Sequence, residues 1–327
     1  MKKCLLLLGL FLTTRSFSQP KQIIVAQDGS GNYKTVQEAL NAVPLDNKTP
    51  TLIYIKNGTY KEKLHLDAGK NLVELIGESE HNTILTYDDH PGKVSAVGDS
   101  INTRTSYSFI INADDFTAYN ITFRNDAGLN AGQAVAMETQ GDKAVFINCC
   151  FIGNQDVLFL NNAKSRQYYK NCYIEGTTDF IFGSATAWFE NCSIYSKKNS
   201  HITAASTPKD NAYGFIFNNC TLTGDSSLHM VSLGRPWRPY ACVAYLHCYI
   251  GQQIKPEGWS NWNKTDNYKT TRFAEYQNYG PGASPSSRVS WSKQLTTTEA
   301  SEITLKNVFA NWDPMTNLPT TLTPTPQ

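Results

Sequence analysis

Residues Gly153–Gly183 read GNQDVLFLNNAKSRQYYKNCYIEGTTDFIFG. Two aspartates, Asp156 and Asp179, stand in this run among apolar and aromatic residues, 23 positions apart. A carboxylate in such surroundings is costly unless it is paired or used. The same run carries YKNC, and FENC follows it, so that an aromatic sits two positions before an Asn and a Cys one position after. Working outward, the Asn position recurs at Asn120, Asn148, Asn171, Asn191, Asn219 and, as His, at His247. The steps are 28, 23, 20, 28 and 28 residues. The aromatic recurs at Phe146, Tyr169, Phe189, Phe217 and Tyr245, and the Cys at 149, 172, 192, 220 and 248.

An irregular period of this length, centred on short alternating runs such as VFINCCFI and GFIFNNCTL, is the pattern of a β-solenoid. The expected fold is all-β, a single-stranded right-handed parallel β-helix with short capping helices at its ends. Its coils would stack at about 4.8 Å. The Asn column would form an amide ladder, with the aromatics and Cys piled inside. Equal offsets then predict stacked side chains. Asp156 and Asp179 each lie eight residues after a ladder Asn; Gln133 and Asp156 each lie 15 before one. Arg235 lies 12 before His247, as Asp179 lies 12 before Asn191. Gln133, Asp156, Asp179 and, two coils on, Arg235 are therefore expected in one column, with the carboxylates about 5 Å apart.

At 327 residues the chain is long enough for one large solenoid core. Residues 1–18, MKKCLLLLGLFLTTRSFS, have two lysines, an apolar run and small residues, which predicts a signal peptide and export. The run is too short to span a bilayer. The chain has 29 basic and 28 acidic residues, or 26 and 28 without Lys2, Lys3 and Arg15. That balance argues against nucleic acid or an anionic membrane as main partner. Seven of the eight cysteines lie after residue 18 and read first as buried small residues. Disulfides between coils stay open. With no Cys-x-x-Cys and scattered histidines, no metal site or cofactor is expected.

A strand, a Gly-rich turn and a helix from about Thr35 to Ala42 open the chain after residue 18, the helix covering the first coil. Strands are expected at Thr51–Ile55 and Asn71–Ile76. Gly98–Ile101, GDSI, has the look of a serine-esterase block but lacks a downstream Asp-x-x-His, so Ser100 is not expected to act as a nucleophile. The sequons at Asn120, Asn191 and Asn219 coincide with the ladder and read as structural. After Tyr249 the repeat fades, and the Trp/Tyr/Asn-rich segment that follows reads as loops over the wall. A capping box at Thr296–Glu299 predicts a helix to about Phe309. Residues 318–327 read as a Pro/Thr-rich tail, leaving 19–317 as one expected β-helix domain.

Four segments carry a family resemblance: GQAVAM around Gln133, GNQDVLF around Asp156, TTDFIFG around Asp179 and LGRPW around Arg235. With GNYKTVQEAL, NGTYKE, ITFRNDAG and GWSNW, in order along the chain, the sequence resembles the pectin methylesterases, carbohydrate esterase family 8. That resemblance implies a parallel β-helix that hydrolyses galacturonate methyl esters of pectin without a metal. It implies Asp179 as nucleophile, Asp156 as general acid/base, and Gln133 and Gln155 as oxyanion donors. Arg235, Trp237, Phe182 and Gln133 would contact Asp179 or the sugar. Asn154, Val157, Thr178 and Phe159 depart from the family's usual residues, which bears on subsite preference more than on the reaction.

The chemistry fits the spacing. Two neighbouring carboxylates separate their titrations. A guanidinium beside Asp179 would keep it charged, and Asp156 would carry the shared proton. Trp259, Trp262 and Tyr240 stay open between cleft and core. A glycosidase on this fold would also suit such a carboxylate pair, but Asn-Thr-Asp and Gly-His-Gly are absent. A non-catalytic carbohydrate-binding β-helix, or an esterase or thioesterase for another substrate, are the remaining alternatives. A methyl-esterified polysaccharide is the expected partner, and a monomer the expected state.

Overall fold

The computed structural model describes residues 21–95 and 98–316. The expected signal peptide and the Pro/Thr-rich tail lie outside them. Strands of two to five residues alternate with bends and build three parallel sheets of eleven, eight and seven strands. One coil shows the scheme. Ala144–Ile147 enters the eleven-stranded sheet, Cys150–Ile152 the eight-stranded and Leu158–Leu160 the seven-stranded, and the next coil begins at Arg166–Lys170. Pairing runs coil to coil, with Phe146 beside Tyr169, Phe151 beside Ile174 and Phe159 beside Phe182. The fold is an all-β parallel β-helix.

The Asn column marks the bend between the eleven- and eight-stranded sheets. Asn120, Asn148, Asn171, Asn191, Asn219 and His247 all have φ between 52° and 55°. Asn tolerates this left-handed conformation better than most residues. The amide ladder itself is short. Asn148 Nδ2 donates to Asn120 Oδ1 and Asn171 Nδ2 to Asn148 Oδ1, both at 3.4 Å. Beyond that, Asn219 turns to Glu190 instead. Backbone conformation, more than side-chain stacking, accounts for the recurrence.

Inside, Phe146, Tyr169, Phe189, Phe217 and Tyr245 stack with centroids 4.5–4.9 Å apart and planes within 13°. Each such pair contributes roughly 0.5–1.5 kcal/mol beyond its buried area. The five ladder cysteines share this core, where their thiols donate to backbone carbonyls, as Cys192 does to Tyr169. All seven described cysteines are free.

The repeat does not fade at Tyr249. Past Gly251 the coil continues in single bridges, Ile254 to Val231 and Trp259 to Gly234, and after a loop Arg272–Tyr276 returns to pair with Cys242–Leu246. Gln277, at φ 47°, takes the ladder corner there. With Asn278 in place of the ladder Cys, this coil carries no Asn-Cys signature.

The first helix, Val36–Asn41, has a Thr35 capping box and buries Val36, Ala39 and Leu40 over the first coil, as expected. The C-terminal helix is broken at Glu302–Thr304 into Thr297–Ser301 and Leu305–Phe309. This pair lies along the outer flank of the eleven-stranded sheet rather than over its end. There Val308, Phe309 and Trp312 cover Tyr168, Trp188 and Ile216.

Candidate active site

The second bend, into the seven-stranded sheet, carries the two aspartates. Asp156 and Asp179 also have left-handed backbones, φ 63° and 51°. Asp156 N–H donates to Thr178 C=O at 3.0 Å, and Asp179 N–H to His201 C=O at 2.7 Å, so both corners are locked to the coil above. Two glycines permit the close packing. A Cβ at Gly176 would meet Phe180 at 2.3 Å, and one at Gly183 would meet Leu160 C=O at 2.1 Å. Leu158 pairs with Ile181 and Phe159 with Phe182, which stacks Asp156 beneath Asp179 as the spacing predicts.

Two other register expectations are corrected. Gln133 bridges Gln155, not Asp156, because the coil from Gln133 is one residue shorter there. This puts the two amides side by side. Arg235 pairs with Ala204, which pairs with Phe182, so it stands in the Phe159–Phe182 column and not in that of Asp179. The offset from the ladder misleads because two residues join the strand ending at Gly183 to the next, against five after Pro236. Arg235 still reaches Asp179 from its own column. Nε donates to Oδ1 at 3.0 Å and Nη2 to Oδ2 at 2.6 Å, a bidentate pair.

Both carboxyls are buried, Asp156 8% exposed and Asp179 4%. Burial and then the Asp179 charge push the Asp156 carboxyl well above the ordinary carboxylate range. Burial also raises Asp179, but hydrogen bonds and charge from Arg235 pull it back. The pair is thus graded, with the proton favoured on Asp156 and the charge on Asp179. Such a pair can attack an acyl carbon with one member and supply a proton with the other.

The cleft is lined by Gln133, Gln155, Asp156, Asp179, Arg235 and an aromatic wall. Phe159 stacks on Phe182 at 4.3 Å, with Trp237 edge-on at 6.0 Å from Phe182. Trp262 also belongs to the cleft, where its ring lies 4.1 Å from the Arg235 guanidinium. Trp259 is core, 1% exposed and stacked on Phe273. Tyr240 and Ser100 are not among the lining residues. Sequence reasoning missed Asn102, Thr103 and Arg104, which arrive from a loop far from the repeat pattern, and Arg238. It also missed His201, next above Asp179. Its Nδ1 is 2.7 Å from Ser232 Oγ, and burial and Arg235 lower it to about 4, so it stays neutral.

The family model described as Pectinesterase matches residues 22–311. Pectinesterase 31 of Arabidopsis thaliana is 40% identical over 285 residues, covering 86% of this chain and 89% of that one. Several other curated relatives are longer, and the chain spans about half their length. Among solved structures, the carrot pectin methylesterase superposes with a TM-score of 0.81 at 33% identity, over 91% of this chain and 95% of that one. A pectin methylesterase in complex with a hexasaccharide gives 0.80 at 28% identity, over 92% and 100%.

Proposed function

This chain belongs to the pectinesterase family and removes methyl esters from pectin, and we propose that Asp179 and Asp156 divide that chemistry between them. Asp179 attacks the carbonyl carbon of a methylated galacturonate unit. The Gln133 and Gln155 amides donate to the oxyanion, a contribution of about 3–4 kcal/mol per donor in comparable sites. As the tetrahedral adduct collapses, the C–O bond to methoxide breaks and Asp156 gives its proton to the leaving oxygen. The product is methanol and an Asp179 acyl anhydride. Asp156, now a carboxylate, takes a proton from water, which attacks the anhydride and releases the uronate acid and Asp179.

The observation that carries this reading is the bidentate Arg235–Asp179 pair stacked on a second, more strongly raised carboxyl. Trp237, Phe182 and Phe159 supply the apolar surface for a sugar face. Arg104 and Arg238 add positive charge to a cleft for a polymer that turns anionic as it is processed. We further infer export through residues 1–18, a single catalytic domain over 19–317, action as a monomer, and no nucleic-acid or membrane partner. No helix among the described residues is long and apolar enough to cross a membrane.

The test is methanol release from highly methylated pectin. Asp179→Ala and Asp156→Ala are each expected to lose several orders of magnitude. Arg235→Ala should move the acid limb of the pH–rate profile upward, because Asp179 loses the group that restrains its rise. Release that survives Asp179→Ala removes the assigned nucleophile.

A further inference from the structure

Cys150 differs from the five stacked thiols. It begins the strand Cys150–Ile152 beside Thr122 and Tyr173, and it belongs to none of the hydrophobic clusters although it is 1% exposed. What covers it is the turn Ser79–Thr83, which brings Glu80 and His81 onto it. Its Sγ is 3.1 Å from Glu80 Oε1 and 3.8 Å from His81 Nδ1. The three donor atoms all lie within 4.8 Å of one another. None of these residues lines the aspartate cleft.

We propose that Glu80, His81 and Cys150 form a binding site for a soft divalent cation, zinc by preference, on the outer wall of the eight-stranded sheet. Thiolate, imidazole and carboxylate together are a donor set that suits zinc over magnesium or calcium. The two separations from sulfur agree as well. Tetrahedral zinc, about 2.3 Å from sulfur and about 2.0–2.1 Å from nitrogen or oxygen, sets its donors about 3.5 Å apart. The sulfur–oxygen and sulfur–nitrogen separations, 3.1 and 3.8 Å, bracket that value.

The turn is also held in advance. Glu80 C=O accepts from Thr122 Oγ1 at 2.7 Å, which ties it to the residue paired with Cys150. Ser79 Oγ donates to Asn57 Oδ1 at 2.9 Å, and Thr83 N–H to Ser79 C=O at 2.9 Å. On binding, the Cys150 S–H bond breaks and its proton goes to solvent. Thiolate and carboxylate then balance the dication, and a fourth position remains for water on the side of exposed His81. Without the metal, the thiol donates to Glu80.

The experiment is a calorimetric zinc titration of the full chain, reduced with a non-chelating phosphine, beside His81→Ala and Cys150→Ser. His81 is exposed, so its variant is expected to fold even if Cys150→Ser does not. One equivalent should bind the parent, with at least tenfold weaker binding in each variant. Cobalt should give a near-ultraviolet thiolate charge-transfer band in the parent that Cys150→Ser abolishes. Methanol release should be the same in His81→Ala as in the parent. No saturable binding, or binding that both variants retain, would overturn the site and leave the cluster as a thiol–carboxylate hydrogen bond.

Discussion

Asn171 and Asp179 lie eight residues apart on one coil, at successive bends, with almost the same backbone: φ is 53° at the first and 51° at the second. At the first bend the side chain is neutral, exposed and hydrogen-bonded to the amide below it. At the second it is a buried carboxylate beside another, held by an arginine. Asn and Asp both accept this conformation. The bend therefore does not choose between them. Asp at the second corner adds a desolvation cost that the bend does not require, and the proposed reaction would make use of it.

Exchanging the residue while keeping the bend is the sharpest way to test this contrast. Asp179→Asn should leave folding intact by circular dichroism and lower methanol release by about 10⁴-fold or more. A variant that loses the fold along with activity would mean that the corner itself depends on the charge.

That contrast was partly legible from sequence, and the physical reason is the distance counted. Asp156 and Asp179 were placed correctly because only one bend and one short strand separate each from its ladder Asn. Gln133 and Arg235 were misplaced because their offsets run across loops of unequal length, which a period cannot reveal. The last coil was invisible because Gln277 and Asn278 satisfy the bend without the Asn-Cys pair. Cys150 and Glu80, 70 residues apart, meet only through the stacking of coils. The aromatic and Cys columns are legible because both recur inside the core on five successive coils.

The second test reads the cost of the charge. The folded Asp156 carboxyl is raised above its ordinary 3.8, so below that pH both states hold the proton and burial is uncharged. As pH rises through and above 3.8, the unfolded chain ionises first and stability is lost. Asp156→Asn, neutral at every pH, should therefore match the parent in acid and exceed it near neutrality. The Tm gain should be about 2–4 °C per kcal/mol relieved. A parent equally stable at both pH values would show that the carboxyl is solvated after all.

The smallest effects belong to the first bend. Asn171→Ala should cost about 1 kcal/mol in urea denaturation, the cost of a left-handed residue with a Cβ and no local hydrogen bond. Asn171→Gly should stay within about 0.5 kcal/mol, and both should keep full activity. A large loss with Gly would show that the amide contact matters more than the backbone.

The cysteines at 149, 172, 192, 220 and 248 place one buried, unlinked thiol in each of five successive coils. Among the described residues, no disulfide ties one coil to another. Each of these coils holds its neighbours by backbone hydrogen bonds and packing, as in a one-dimensional array. The chain thus carries its own set of markers for disassembly: the order in which these sulfurs become reactive records whether the stack unravels from one end or gives way at once along its length.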